Sequence, residues 1–213
     1  MTVRPIYGGH TTHTEYCLSA NRFGDGFDCC CPKGPKLPIL IDCDDVLSDF
    51  LGQLCDLAAR NGLERSKDTL EPGWSLPEAF RWPEINDVVT QAVRFEDLCL
   101  NMPELPGSIE WLRDVERTFG KDRVYVCTAP WNGRWAGQRF EWLEARGVDK
   151  DRIIQCKAKH LIPGLLIDDA EHHVQARPAG TGFLFNSPQN KAARLIYPHG
   201  DHTAAMQWLK EHA

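Results

Sequence analysis

Two carboxylates one residue apart, Asp42 and Asp44, follow directly on the apolar run Leu37-Pro38-Ile39-Leu40-Ile41, and a third, Asp45, comes next. Like charges packed at the tip of a strand cost free energy unless a cation or a proton separates them. The chemistry that makes use of such a cluster is metal-assisted. Two later apolar runs also end in polar groups. Arg123-Val124-Tyr125-Val126-Cys127 runs into Thr128-Ala129-Pro130, and Leu165-Leu166-Ile167 runs into Asp168-Asp169. A lone Asp at a strand end reads as a turn residue or a helix cap. Three strands that deliver polar groups to the same edge suggest a site, because ligands of open α/β sheets bind outside the carboxyl ends of the strands.

The elements that must position these groups follow from periodicity. From Val46 the spacing predicts a helix with Leu47, Phe50, Leu51, Leu54 and Ala58 on one face, stopped by Asn61-Gly62. Residues 63–83 are broken by Pro72-Gly73, Pro77 and Pro83, and a second helix carries Ile85, Val88, Val89, Ala92 and Val93. Residues 47–104 thus read as a small helical cap inserted after the first strand, leaving 37–46 and 105–213 as the core. In the core, helices are expected through Ile109, Leu112, Val115 and Phe119, through Ala136, Phe140 and Leu143, and from about His202 to the end. Further strands are expected at Ile153-Ile154, Gly182–Phe185 and Arg194–Tyr197. Strands alternating with helices predict an α/β fold, a Rossmann-like, mostly parallel sheet flanked by helices.

Composition bounds the partners. The formal net charge of −6 over 213 residues argues against a general nucleic-acid binder, which relies on clustered Lys and Arg. No apolar run approaches membrane-spanning length, and Met1 to Gly9 lack the features of a secretory signal, so a cytoplasmic protein is expected. Residues 1–36 read as an irregular arm. There His10, His13, Cys17 and the run Cys29-Cys30-Cys31 could supply ligands to Zn²⁺; the alternative is a loop of free thiols and solvated histidines. An odd total of 9 cysteines favours thiols or metal ligands over a disulfide framework.

Four short motifs in this order resemble those of the haloacid-dehalogenase-like phosphatase superfamily: Asp42-Cys43-Asp44-Asp45-Val46, the strand ending in Thr128, a lysine (Lys159, or Lys157 as runner-up), and Asp168-Asp169. Within it the chain is most similar to the 5′(3′)-deoxyribonucleotidases. Asp42–Phe50, Glu104-Leu105-Pro106-Gly107, Cys127-Thr128-Ala129-Pro130, Leu165–Asp169 and Phe183–Asn190 carry this closer likeness. The departures are Asp45 in place of a common Gly, Ala129 in place of a frequent Ser, and Ala170-Glu171 in place of Arg-Pro.

The resemblance implies an Mg²⁺-dependent phosphatase for (deoxy)nucleoside 5′-monophosphates. Asp42 would be the nucleophile that forms an aspartyl-phosphate, and Asp44 the acid and then base. Thr128, Ala129 and Lys159 would hold the phosphate. Mg²⁺, a hard ion that takes oxygen ligands, would sit on Asp42, the carbonyl of Asp44, and Asp169 with Asp168 in support. Phe50 and Trp74 are the candidates for stacking on the base, with Arg134 as a polar contact. Asp45 reads by default as a cap of the helix that follows the strand. His172 and His173 are given a minor role at most. Competing readings are a phosphatase for another small phosphomonoester or a nucleic-acid end, and a zinc-stapled binding or regulatory module; a homodimer is left open.

Overall fold

A computed structural model describes residues 36–213. The possible zinc ligands His10, His13, Cys17, Cys29, Cys30 and Cys31 lie outside the described residues. Six strands form one sheet, every pairing parallel, in the order β3-β2-β1-β4-β5-β6. They are β1 (Ile39–Ile41), β2 (Val124–Thr128), β3 (Ile153–Gln155), β4 (Leu165–Asp168), β5 (Gly182–Phe185) and β6 (His199–Gly200). The expected α/β class is what the chain adopts, and the sheet is wholly parallel. Ile39, Leu40 and Ile41 are all fully buried, since β1 is central and covered on both faces. The connections reverse direction between β1 and β4, so their carboxyl ends open a crevice at the switch point.

Seven helices accompany the sheet among the described residues: α1 (Phe50–Arg60), α2 (Leu76–Ala79), α3 (Ile85–Phe95), α4 (Ser108–Phe119), α5 (Gly133–Glu144), α6 (Glu171–Gln175) and α7 (His202–His212). None is long and apolar enough to cross a membrane. One apolar cluster joins β1, β2, β4 and β5 to α4, α5 and α7 through Ile41, Val126, Ile167, Leu112, Trp142 and Trp208. A second cluster is built from residues of 51–99, including Leu54, Phe80, Trp82, Ile85 and Val89, and it takes in Trp135 from α5. The chain passes between the two clusters twice, and the passages are bonded side by side. Asp49 N–H donates to Pro103 O at 2.8 Å, and Leu105 N–H and Ser108 Oγ donate to Leu47 O at 2.9 and 2.7 Å.

Two expectations need correction. The first helix after β1 starts at Phe50, not Val46; residues 43–48 instead form a tight turn in which Leu47 and Ser48 donate N–H bonds to Cys43 O. Val46 and Leu47 therefore belong to the core cluster. The second correction concerns the strand expected at Arg194–Tyr197. A 3₁₀ turn, Ala193–Leu195, stands there, and the edge strand is His199–Gly200. Leu195 and Ile196 are 96% and 69% exposed, so the apolar pattern has no sheet face to enter. Arg194 holds the turn by donating to Ser187 O at 2.7 Å and Asn190 Oδ1 at 3.2 Å.

Candidate active site

The end of β1 and the end of β4 are neighbours, because Ile41 pairs with Ile167. Asp42 therefore stands beside Asp168 and Asp169, and ligand oxygens of these three buried carboxylates lie within 4.8 Å of one another. Lys159, only 2% exposed, reaches between two of them, with Nζ 2.6 Å from Asp42 Oδ1 and 3.0 Å from Asp168 Oδ2. The backbone that aims this lysine is held by Arg177, which donates to the carbonyls of Lys159 and Ile162 at 3.2 and 3.0 Å and also bonds Gly164 O. Gly164 must be glycine: its φ is 141°, and a Cβ would lie 2.5 Å from Pro38 O. Lys157, by contrast, is exposed.

The three carboxylates differ in how they are engaged. Asp168 accepts from Lys159 with one oxygen and from Ala170 N–H, at 2.8 Å, with the other. Asp42 Oδ1 accepts from Cys43 N–H at 2.6 Å as well as from Lys159. The Asp169 backbone carbonyl accepts from Asn190 Nδ2 at 2.8 Å, but its carboxylate receives no hydrogen bond among the described residues, so those two oxygens are free for a cation. Burial raises the Asp42 carboxyl to about 7 even though Lys159 pulls it down. Asp169 is pushed well above the usual carboxylate range, first by burial and then by Asp45, Asp42 and Asp168. A hard divalent ion among oxygen donors would relieve that repulsion. Mg²⁺ fits this donor set, and among the described residues no other group of His, Cys, Asp and Glu has metal-binding spacing.

Asp44 is three residues beyond β1 and lies outside the group of Asp42, Asp168 and Asp169. It is paired with Arg139 of α5, and Ser48 Oγ lies 3.2 Å from its Oδ1. Burial raises the pKa of its carboxyl, opposed by Arg139 and reinforced by Asp42. Asp45 takes a left-handed backbone, φ 55°, and its Oδ1 accepts from Leu51 N–H at 3.0 Å in the first turn of α1. It thus caps the helix from outside the N-cap position. That position belongs to Asp49, which accepts from Gly52 N–H at 2.9 Å. Burial lifts Asp45 to about 8. Thr128 ends β2 fully buried, and its hydroxyl has no partner among the described residues.

A cavity of about 220 Å³ opens over these groups. Its floor is Asp42, Asp44, Asp45, Lys159 and Asp169, and Ala129 lies on its rim. Its walls are aromatic: Phe50 and Trp74 line it together with Trp131 and Trp135. Phe50 stands edge-on to Trp135 and Trp74 edge-on to His172, each with centroids 5.5 Å apart. Arg134 does not line the cavity. It is exposed and spent on Val93 O at 3.0 Å and Asp97 at 2.8 Å, tying α5 to the end of α3. The expected polar contact from Arg134 is withdrawn on that ground. His172 and His173, given little weight from sequence, both line the cavity, and burial lowers His173 to about 3. Sequence reading also missed Trp131, Trp135 and Arg139. The signal was present for Arg139, a charge in the inward stripe Trp135, Arg139, Trp142, Leu143 at helical spacing.

The family model described as 5′ nucleotidase, deoxy (Pyrimidine), cytosolic type C protein matches residues 36–212. The chain belongs to this family. Family membership makes it a haloacid-dehalogenase-like phosphatase of the nucleotidase type. Solved structures agree on the fold. A HAD family hydrolase from Deinococcus radiodurans R1, with bound phosphate and sodium, superposes with TM-score 0.54 at 16% identity over 84% of this chain and 97% of that one. A hydrolase from Pseudomonas syringae gives 0.50 at 16% identity over 83% and 99%. No curated protein matches the chain.

Proposed function

We propose that this nucleotidase-family phosphatase hydrolyses deoxynucleoside or nucleoside 5′-monophosphates in the cytoplasm, with Mg²⁺ and through an aspartyl-phosphate on Asp42. The observation that carries this reading is the juxtaposition of the Asp42, Asp168, Asp169 and Lys159 cluster with an aromatic-walled cavity. The charged floor suits a phosphate. The walls of Phe50, Trp74, Trp131 and Trp135 suit a flat base.

Asp42, Asp169 and the Asp44 carbonyl would hold Mg²⁺, which supplies charge to offset the repulsion between carboxylate and phosphate. Asp168 supports the site through Lys159, since both of its oxygens are taken. Asp42 attacks phosphorus with the oxygen that Lys159 and Cys43 leave free. Lys159 and the unpartnered Thr128 hydroxyl receive the charge that develops on the phosphoryl oxygens. Asp44 gives a proton to the departing 5′-oxygen, then takes one from the water that cleaves the acyl-phosphate. Burial favours the protonated start that this role needs.

A phosphate-release panel over ribo- and deoxynucleoside monophosphates, with Mg²⁺ and after chelation, tests the reading. A clear preference for nucleotides that vanishes with chelator is expected. A flat and weak profile would remove the nucleotide assignment and leave the reading of a phosphatase for another small phosphomonoester.

A further inference from the structure

We propose that Arg139 is the positioning residue for Asp44, fixing which of its carboxylate oxygens meets the leaving group. The inference rests on Asp44 acting as the acid in the proposed reaction. Arg139 is fully buried on α5. Its guanidinium lies 5.4 Å from the Trp142 ring, and Nη2 is 3.3 Å from the sulfur of Met102. Among the described residues the one carboxylate it reaches is Asp44, through Oδ1. Arg139 Nε and Nη1 have no partner there.

Ser48 converges on the same oxygen, and Ser48 Oγ is also 3.2 Å from Cys43 O, which fixes the hydroxyl against the turn. Arg139 is the firm donor to Asp44 Oδ1, because the single Ser48 hydroxyl proton is shared between that oxygen and Cys43 O. Oδ2 has no donor among the described residues, while the residue itself lines the cavity. A proton carried by Asp44 belongs on Oδ2, and Arg139 decides where that oxygen points.

Stability gives no sufficient account of this pair. A buried ion pair is commonly replaceable by apolar residues of similar volume without loss. The stripe that holds Arg139 is otherwise apolar and aromatic, with Trp135, Trp142 and Leu143 buried. An apolar pair could fill the same volume, whereas Leu or Met at 139 alone would leave Asp44 without its partner and free to turn. Orientation of Asp44 is what the guanidinium adds.

Leaving-group dependence separates this role from a structural one. The ratio kcat/KM covers the steps through departure of the leaving group. A nucleoside leaves as an alkoxide that needs the proton of Asp44, whereas p-nitrophenolate leaves without one. Arg139→Met is expected to lower kcat/KM for a deoxynucleoside monophosphate on the order of 100-fold, the low end of what a general acid contributes. The loss for p-nitrophenyl phosphate should be under about 5-fold, because that group departs without general-acid help. Asp44→Asn should show the same selectivity, and Arg139→Lys should recover part of the nucleotide rate. Equal losses on the two substrates, or no loss, overturn the positioning role. If Arg139→Met does not fold, Arg139→Lys decides alone, by whether its loss is greater on the nucleotide. Wild-type protein inactive on both substrates would overturn the function beneath the proposal, and the proposal with it.

Discussion

Asp42 sits with one oxygen against Lys159 and Cys43 N–H and the other free, which is the arrangement a nucleophile needs. Asp42→Asn keeps the shape and removes the attacking charge. Phosphate release is expected to fall by at least about 1,000-fold while the folded state survives, since a nucleophile and its partners act as a unit. Full activity in that variant would remove Asp42 from the mechanism. The same residue sets a pH dependence. With its carboxyl lifted to about 7 by burial, the metal-free site holds protons that a cation must displace. Mg²⁺ affinity should weaken as pH falls below 7, with protons released on binding. Calorimetric titration in two buffers of different ionisation enthalpy measures that release, and zero release at pH 6.5 would contradict it.

The turn from β1 to α1 shows two local terms opposing each other. Asp45 holds a positive φ that Gly adopts at no cost, yet its side chain satisfies Leu51 N–H at the start of α1. Asp45→Gly gains backbone freedom and loses the cap, so a net change within about 1 kcal/mol is expected. Asp45→Ala keeps the strain and loses the cap, and should destabilise by about 1–2 kcal/mol. Urea unfolding of the two variants checks the order, which is the informative result. On the next element, Gln138 donates to Val93 O at 2.9 Å and Asp97 at 2.8 Å and accepts from Cys99 N–H at 3.2 Å. Gln138→Ala leaves the buried Cys99 N–H unpaired, while Val93 O keeps Arg134, for a loss of about 1–3 kcal/mol. Hydrogen exchange should locate the added opening in residues 93–99 rather than in β1 or β4. Uniform loosening would show that cap and core unfold as one body.

At the scale of the whole molecule, the buried carboxylates make stability depend on pH and on metal. Asp42 and Asp45 rise from an ordinary 3.8 to about 7 and about 8. The folded state therefore binds more protons than the unfolded chain between roughly pH 4 and 8, and its stability falls as pH rises through that window. Metal-free protein is expected to melt on the order of 5 °C lower at pH 8 than at pH 5. Mg²⁺ should recover much of this at pH 8 and little at pH 5, where protons hold the carboxylates. Thermal scans with and without chelator read both halves, and a metal-free Tm that rises from pH 5 to pH 8 would refute the assignment.

The sequence by itself determined the parallel α/β class and the acidic cluster at the edge of the sheet. Period-two and period-3.6 patterns locate strands and helices, and a strand fixes the direction of the residue that follows it. Asp42, Thr128 and Asp168 stand at β ends and share that legibility. It failed where burial was absent, as at Leu195 and Ile196, whose apolar pattern faces solvent. It failed also where a partner comes from far along the chain. Arg134 lies beside the second motif yet is taken by Asp97, and Arg139 is 95 residues from the Asp44 it holds. Such pairings depend on how α5 packs between the two apolar clusters, a distance in space that no spacing in the sequence encodes. The first strand and its carboxylates could be read from residues alone; which way Asp44 and Asp45 turn was decided only when the turn, α1 and α5 closed around them.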